Sequence, residues 1–387
     1  MVEQGRASSS SINLNFREKE TLDVFSKLLS GECCSVVGVG SVGKSNFLRH
    51  ILTAQVQTEV VKRLSSERYP QDTERGALLT LILIDPNTML DTSAQTTSRS
   101  PSCWAGYEVL MHRLYKAFYP LTGLEDREKE DFVKAYRLMT DSSNSLLPYI
   151  GLRYLERGLE ILLNPESLPR SRRQIAFVFD EFEEMLAELP PKFFRALRGL
   201  RDDYKYRLMY LTFTRRPLAQ IVQEKKYDYH ALEPFIELFT DNICYLGPYS
   251  EVDAMDMLNR LARRHGKDYT AQFRRFLIRV TGGHAGLLRA SFRLVENLPH
   301  FSMPEEKAVQ FLVEHPAVQT ECQTIWVGLS EEEKTALRGV TTDRLDGISD
   351  TALRLLQEKK LLQLEGIVQI TPPLFREFVR RNDMITL

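Results

Sequence analysis

A glycine-rich stretch between an apolar run and a helical pattern constrains this chain more than any other feature. The apolar residues Cys34-Ser35-Val36-Val37 lead directly into Gly38-Val39-Gly40-Ser41-Val42-Gly43-Lys44-Ser45, which matches the pattern GxxxxGK[ST]. Residues 46–52 follow with the apolar spacing of a helix. In such a strand–loop–helix setting, successive backbone N–H groups converge on phosphate oxygens, and the helix N-terminus adds partial positive charge. The stretch therefore predicts a phosphate-binding loop.

The pattern assigns a role to each part of this loop. Lys44 is predicted to reach the β- and γ-phosphates of a nucleotide, and Ser45 is predicted to hold Mg²⁺. The remaining residues are predicted to surround the phosphates, namely Gly38, Gly40, Ser41, Val42, Gly43 and Asn46. The alternative is a glycine-rich turn that matches by chance, and the correct flanks on both sides disfavour it.

Length and charge limit the remaining interpretations. A chain of 387 residues is too long for one ordinary core, so two or three domains are expected. A formal net charge of -1 gives no global attraction to nucleic acid or to an anionic membrane. The sequence has no apolar run as long as a membrane span, and residues 1–11 are polar, so a cytoplasmic protein is predicted. Cys34 and Cys244 lie in predicted strands, which indicates reduced core thiols.

A second signal for nucleotide chemistry is acidic. The apolar run 174–179 predicts a buried strand next to the phosphate-loop strand, and it ends in Asp180-Glu181. A carboxylate at this tip can order Mg²⁺ through its water, and the adjacent Glu181 can polarise an attacking water. Alternatively, the acidic residues start a helix whose dipole favours them. The two interpretations are compatible, and Asp180 and Glu181 are predicted catalytic residues.

Further apolar runs complete the predicted sheet. Residues 208–214 predict a strand that is followed by Arg215, a residue suited to sensing a γ-phosphate or, alternatively, a solvated loop arginine. With the runs 78–84 and 242–246, four or five strands alternate with helices, which predicts a doubly wound parallel α/β sheet. Helices predicted at 107–119 and 146–163 either cap this sheet or contact a partner, and 91–103 is predicted to be a loop.

After residue 249 the pattern becomes helical. A glycine break before His284 predicts a small helical lid, in which His284 either caps a helix or touches a phosphate. A capping box at 329–333, a helix at 351–360 and an alternating hairpin at 361–370 predict a winged helix. The predicted domains are a core at 1–248, a lid at 249–310 and a winged-helix domain at 311–387.

In this order, the motifs resemble the STAND class of signal-transduction ATPases, which are relatives of AAA+ and origin-recognition ATPases. The resemblance spans roughly residues 13–381 and includes a Walker A loop, a Walker B pair at 180–181 and a C-terminal winged helix. It implies that the chain binds ATP or ADP with Mg²⁺ and hydrolyses ATP slowly. It also implies that Pro248 lies against the adenine.

Three departures separate this chain from some relatives. Residues 217–246 contain no arginine, whereas an oligomeric AAA+ motor would offer one there to its neighbour's site. Ala285-Gly286 follows the lid's glycine turn where an AAA+ lid would place an arginine, so Arg289 is a displaced candidate. Residues 370–373 lack the histidine that holds ADP in some STAND members, which leaves open how an ADP state would be locked.

Three functions remain open at this point. The first is an ATP-dependent switch that couples nucleotide state to the winged helix and to a protein partner, with oligomerisation on ATP binding left open. The second is a DNA-associated ATPase that uses the winged helix or the basic helix 191–204, although the nearly charge-balanced 351–360 helix disfavours DNA readout. The third is a nucleotide-binding scaffold without turnover.

Overall fold

The computed structural model describes most of the chain. The described residues are 13–68, 78–90, 103–141, 144, 146–164, 173–266, 269–294, 304–342, 344, 347–364, 366 and 368–386. Of the predicted loop at 91–103, only Cys103 is among them, so that prediction lies outside the described residues. No helix in these ranges is long and apolar enough to cross a bilayer.

A five-stranded parallel sheet forms the centre of the molecule, as predicted. Its strands are β1 (Cys34–Val37), β2 (Leu78–Ile84), β3 (Arg173–Phe179), β4 (Leu208–Thr214) and β5 (Ile243–Tyr245). Their order is β2-β3-β4-β1-β5. The expectation that β3 lies next to β1 is therefore wrong, because β4 separates them and pairs Thr214 with Val37.

Helices surround the sheet. The first seven are α1 (Glu18–Leu29), α2 (Lys44–Ile51), α3 (Ala54–Arg68), α4 (Trp104–Phe118), α5 (Asp126–Thr140), α6 (Leu147–Leu162) and α7 (Phe182–Glu188). The next three are α8 (Pro191–Asp203), α9 (Leu218–Glu224) and α10 (Tyr229–Ile236). Helix α5 was not predicted, because its charged first turn resembled a connecting segment.

The three central strands of the sheet, β1, β3 and β4, are almost completely buried. Every residue of β4 is buried, and Cys34 and Cys244 are buried within β1 and β5 as predicted. Large aromatic rings fill the space between the sheet and α7, α8 and α10, among them Phe182, Tyr210 and Phe235. This rigid core fixes the carboxyl ends of β1, β3 and β4, which carry the predicted site residues.

The lid and the C-terminal segment are helical. The lid contains α11 (Glu251–His265), α12 (Ala271–Thr281) and α13 (Ala285–Leu294), and two more helices follow, α14 (Glu305–Glu314) and α15 (Pro316–Val327). Gly282 and Gly283 both have positive φ, at 57° and 75°, which permits the sharp reversal between α12 and α13.

The last elements have the order expected of a winged helix. They are α16 (Glu331–Thr341), α17 (Asp350–Glu358), the antiparallel pair β6 (Leu362–Gln363) and β7 (Gln369–Ile370), and α18 (Pro373–Thr386). The predicted capping box is confirmed, since Ser330 and Glu333 exchange side chain to backbone hydrogen bonds at the start of α16.

Candidate nucleotide-binding site

The predicted phosphate loop connects β1 to α2 as expected. Ser41 and Gly43 have positive φ angles of 58° and 105°, and a Cβ atom built on Gly43 would lie 2.7 Å from Tyr249 Oη, so only glycine fits there. The Lys44 ammonium folds back and donates to the carbonyls of Gly38 (2.6 Å) and Val39 (3.2 Å). Among the described residues, no backbone carbonyl accepts the N–H groups of Lys44 and Ser45. This helix N-terminus can therefore receive an anion.

Lys44 is the centre of a charged cluster that joins three strand tips. Burial lowers the pKa of Lys44 to about 8, and the nearby Arg215 acts in the same direction. The carboxylates of Glu183, Asp180 and Glu181 oppose this shift, with Glu183 having the largest effect. The structure thus brings the predicted catalytic residues together. Glu183, which follows Glu181 in the same acidic stretch, belongs to this cluster as well.

The acidic tip of β3 has a strained backbone. Glu181 is exposed and adopts the left-handed conformation at φ 44°, and its N–H donates to Asp180 Oδ1 at 3.0 Å. Burial raises the pKa of Asp180, and the charges of Glu181 and Asp85 add to that effect. Two residues after Glu181, Glu183 accepts a hydrogen bond from the backbone N–H of Arg215. This bond fixes the tip of β4 to the start of α7.

His284 lies in the lid turn and is completely buried. Neither ring nitrogen has a hydrogen-bond partner among the described residues, so the ring does not cap α13. Burial lowers the pKa of His284 to about 3, and the positive charges of Arg17 and Lys44 act in the same direction. A neutral imidazole has one N–H donor and one nitrogen acceptor, and both are unused here. Of the two roles predicted for His284, the contact with a ligand is the one that remains.

Residues on the other side of the loop were only partly anticipated. The buried Arg17 donates from Nη2 to the carbonyls of Val42 (3.0 Å) and Gly247 (2.8 Å), and its guanidinium lies 4.7 Å from the centre of the Tyr249 ring. Tyr249 Oη also accepts a hydrogen bond from Asn46 Nδ2 at 2.7 Å. The sequence did not identify Arg17 as the link between these loops.

The Phe16 ring extends this region. It makes edge contacts with Tyr249 and with the buried His50, whose ring centroids lie 5.4 Å and 5.3 Å away. Pro248 lies between Gly247 and Tyr249 in the chain and is half-buried. The predicted base-side residue is therefore next to this aromatic group.

Two later elements also reach the phosphate loop. The N–H of Gly286, in the first turn of α13, donates to the carbonyl of Ser41 at 2.9 Å. A Cβ atom on Gly40 would lie 2.5 Å from Thr324 Cγ2, so α15 packs directly on the loop. No local signal in the sequence pointed to α15, because this contact depends on how distant segments fold together.

The Arg215 side chain is exposed at the tip of β4. It lines a cavity of about 910 Å³ together with residues of α15 and α18, including Thr320, Gln323 and Phe378. Arg215 is thus close enough to Lys44 to lower its pKa and also faces the C-terminal helices. This position fits the predicted sensor role and connects it to the C-terminal segment.

In the basic helix α8, which was predicted as a possible DNA contact, two of the four cations are bonded to other groups of the protein. Arg201 is buried and donates to the carbonyl of Gly31 at 2.6 Å. Arg198 is paired with Asp202 at 3.0 Å and donates to a backbone carbonyl. Of the four cations of α8, only Lys192 and Arg195 are exposed. This leaves two cations for phosphate neutralisation.

The predicted recognition helix is similarly engaged. Lys359 is 1% exposed and forms an ion pair of 2.5 Å with Glu333, which is completely buried. A Cβ atom on Gly247 would lie 3.0 Å from Lys360 Cγ, so the stem of Lys360 packs beside the predicted base-side residues. Arg354 remains exposed. The end of this helix therefore faces the domain that contains the parallel sheet.

No family model and no curated protein sequence matches this chain. Similar solved structures include a Walker-type ATPase of Pyrococcus abyssi, with 15% identity, a TM-score of 0.50 and coverage of 94% of this chain and 95% of that one. They also include Cdc6p of Pyrobaculum aerophilum, with 12% identity, a TM-score of 0.37 and coverage of 98% and 97%. The Orc1 protein of Aeropyrum pernix in complex with DNA has 13% identity, a TM-score of 0.34 and coverage of 96% and 93%.

These likenesses concern the fold alone. With the observed parallel sheet, the likeness to the Walker-type ATPase confirms the predicted fold class, an α/β P-loop NTPase fold. The helices and the strand pair that follow the sheet have the order expected of a helical lid and a winged helix. The finer placement in the STAND class stays a prediction.

Proposed function

We propose that this chain is an ATP-binding switch of STAND type that hydrolyses ATP slowly and couples its nucleotide state to the C-terminal helices. The observation that carries the proposal is the cluster around Lys44. It combines a helix N-terminus whose first N–H groups have no backbone acceptor among the described residues, a partly buried ammonium, three carboxylates and a buried histidine with two unused nitrogens. A polyphosphate supplies the acceptors that these donors lack.

The residues present also fit Mg²⁺. Ser45 and Asp180 offer the hydroxyl and carboxylate oxygens that this ion prefers, and bound Mg²⁺ would neutralise phosphate charge. Lys44 and Arg215 would bind the terminal phosphates, and Glu181 would polarise the attacking water. His284 would donate to the nucleotide, and Pro248 would lie against the adenine.

Contacts between the C-terminal segment and the site support coupling. Thr324 packs on Gly40 of the phosphate loop, and Lys360 packs on Gly247. A Cβ atom on Gly282 in the lid turn would lie 2.7 Å from Pro372 Cβ. Because the phosphate loop, Gly247 and the lid turn all contact the C-terminal segment, a conformational change in the site would alter the packing of that segment.

A DNA-associated ATPase is the second candidate. The Cdc6 and Orc1 structures agree better with this candidate than with a switch, but at 12% and 13% identity they concern the fold alone. The buried Lys359 and the engaged Arg198 and Arg201 disfavour it. Binding to duplex DNA with a steep salt dependence would favour it over the switch.

Nucleotide binding and turnover of two variants test the proposal. Lys44→Ala removes a charge-assisted contact of about 1.5–3 kcal/mol, so ATP affinity should fall roughly ten- to hundredfold. Lys62→Ala, an exposed lysine on α3, is the matched control. Equal ATP affinity of Lys44→Ala and the parent would refute the phosphate-loop assignment.

Glu181→Gln should bind ATP normally and turn it over more slowly, because water polarisation operates in the transition state. Glu188→Gln, at the exposed end of α7, should turn over ATP like the parent. Unchanged turnover in Glu181→Gln would show that Glu181 does not polarise the attacking water, and Glu183 or Glu184 would become the candidates for that role. Tight ATP binding by a parent that shows no turnover would instead indicate a scaffold.

A further inference from the structure

Helix α15 presents two side chains to the phosphate loop from one face. Glu321 and Thr324 are three residues apart, so they are neighbours on the helix surface. Thr324 packs against Gly40, as described above. A Cβ atom on Gly286 would lie 2.2 Å from Glu321 Oε2 and 2.6 Å from Ser41 Cβ. The Glu321 carboxylate is therefore packed where the lid meets the phosphate loop.

The two oxygens of this carboxylate have different surroundings. Oε1 accepts a hydrogen bond of 3.1 Å from Arg289 Nη2. Oε2 is buried and has no hydrogen-bond partner among the described residues, although it lies at the loop that would hold phosphate. A buried carboxylate oxygen without a donor is costly, and an anion brought beside it would be repelled. This position is therefore unfavourable for a bound polyphosphate.

Arg289 is the displaced candidate for the arginine of the lid. In this structure its side chain is 52% exposed and is paired with Glu321. While that pair persists, the Glu321 carboxylate holds the guanidinium at α15 and offsets its positive charge. The Glu321–Arg289 pair thus places a carboxylate at the phosphate loop and also binds the arginine of the lid.

We propose that Glu321 locks the site: the carboxylate disfavours nucleotide phosphates at the loop and holds Arg289, and displacement of α15 removes the carboxylate and releases Arg289 for the nucleotide. This inference rests on the proposed nucleotide function. It supplies a lock for a chain that lacks the winged-helix histidine of some STAND members, and it acts by excluding phosphate. The Glu321–Arg289 pair joins α15 to the lid helix α13, so opening of either element breaks it.

Equilibrium binding of fluorescently labelled ADP and ATP, with Mg²⁺, tests this lock in the full chain. Glu321→Gln keeps the shape of the side chain and removes its charge, so both affinities should rise roughly tenfold, equivalent to about 1.4 kcal/mol. Glu321→Ala should act in the same direction. Glu314→Gln, which breaks an exposed pair with Arg381 on the neighbouring helix, should bind like the parent.

A double variant tests the part played by Arg289. Adding Arg289→Gln to Glu321→Gln should remove part of the affinity gained, because the released arginine would no longer reach the phosphate. Undiminished gain in the double variant would overturn the role of Arg289. Affinities equal to the parent in both Glu321 variants, with binding still dependent on Lys44, would overturn the lock and leave the proposed function intact. Absence of binding in the parent and every variant would overturn the proposed function itself.

Discussion

Nucleotide binding should be accompanied by proton uptake at Lys44, and the uptake should grow with pH. Burial holds the pKa of Lys44 at about 8 in the free protein, against 10.5 for an ordinary lysine. A bound phosphate would favour the ammonium form and raise that pKa again. ATP affinity should therefore be fully present below about pH 8 and decline as the pH rises above it.

The size of this effect follows from the free-protein pKa. With a pKa of about 8, Lys44 is about 90% protonated at pH 7 and about 25% protonated at pH 8.5. If the bound pKa exceeds 10, saturation with ATP should take up about 0.1 proton at pH 7 and about 0.75 proton at pH 8.5. Calorimetric titration in two buffers of different ionisation enthalpy measures both values.

Lys44→Arg is the matched control, because a guanidinium remains protonated at both pH values. Protons exchanged by the nucleotide itself are the same for both proteins, so the difference isolates residue 44. Equal uptake at pH 7 and pH 8.5 in the parent would contradict this reasoning. So would an increase that persists in Lys44→Arg.

Two further predictions concern His284 and the buried ion pair. His284→Ala should weaken nucleotide binding by about 0.5–1.5 kcal/mol, the value of a neutral hydrogen bond. Because burial lowers the pKa of His284 to about 3, the ring is neutral at both pH 6 and pH 7.5, and the loss of affinity should be the same at these two pH values. Binding equal to that of the exposed control His230→Ala would disprove the contact. Lys359→Met should destabilise the protein by about 3–5 kcal/mol because it leaves the Glu333 charge buried and unpaired, whereas Lys359→Met with Glu333→Leu should recover most of that loss in denaturant unfolding. An additive effect of the two substitutions would rule out the pairing.

The sequence was most informative where chemistry is local. The limits of β2 and β4 agree with the predicted runs. A strand buried along its whole length, such as β4, is continuously apolar, whereas β2 lies at the edge of the sheet and is only partly buried. The strand tips bearing Lys44, Asp180 and Arg215 were expected at one edge, since the carboxyl ends of parallel strands share it. Helix α5 was missed because Glu125 and Glu128 form a capping box at its start, which in the sequence resembled a charged connection.

Other features depend on contacts that no local pattern contains. The position of β4 between β1 and β3 follows from packing of the whole sheet, and strand order is not written in apolar runs. Arg17 acquires its role from backbone carbonyls distant in the chain, and Glu321 acquires its role from the lid residues Gly286 and Arg289. An isolated arginine in a polar segment and a glutamate on a short helix have nothing in the sequence to distinguish them from surface residues.

The bonds of Arg17 make the two ends of the site unequal. At one end, this guanidinium already joins the carbonyls of Val42 and Gly247 beneath Tyr249, so the entropy of ordering these groups is lost during folding. At the other end, Thr324 and Glu321 cover the loop. For a binding nucleotide, the base side of the site would be preformed, whereas the phosphate side would be covered. Uncovering of the phosphate loop would then limit the association rate of a nucleotide. Adenosine has no phosphate, so its association rate would not depend on this step.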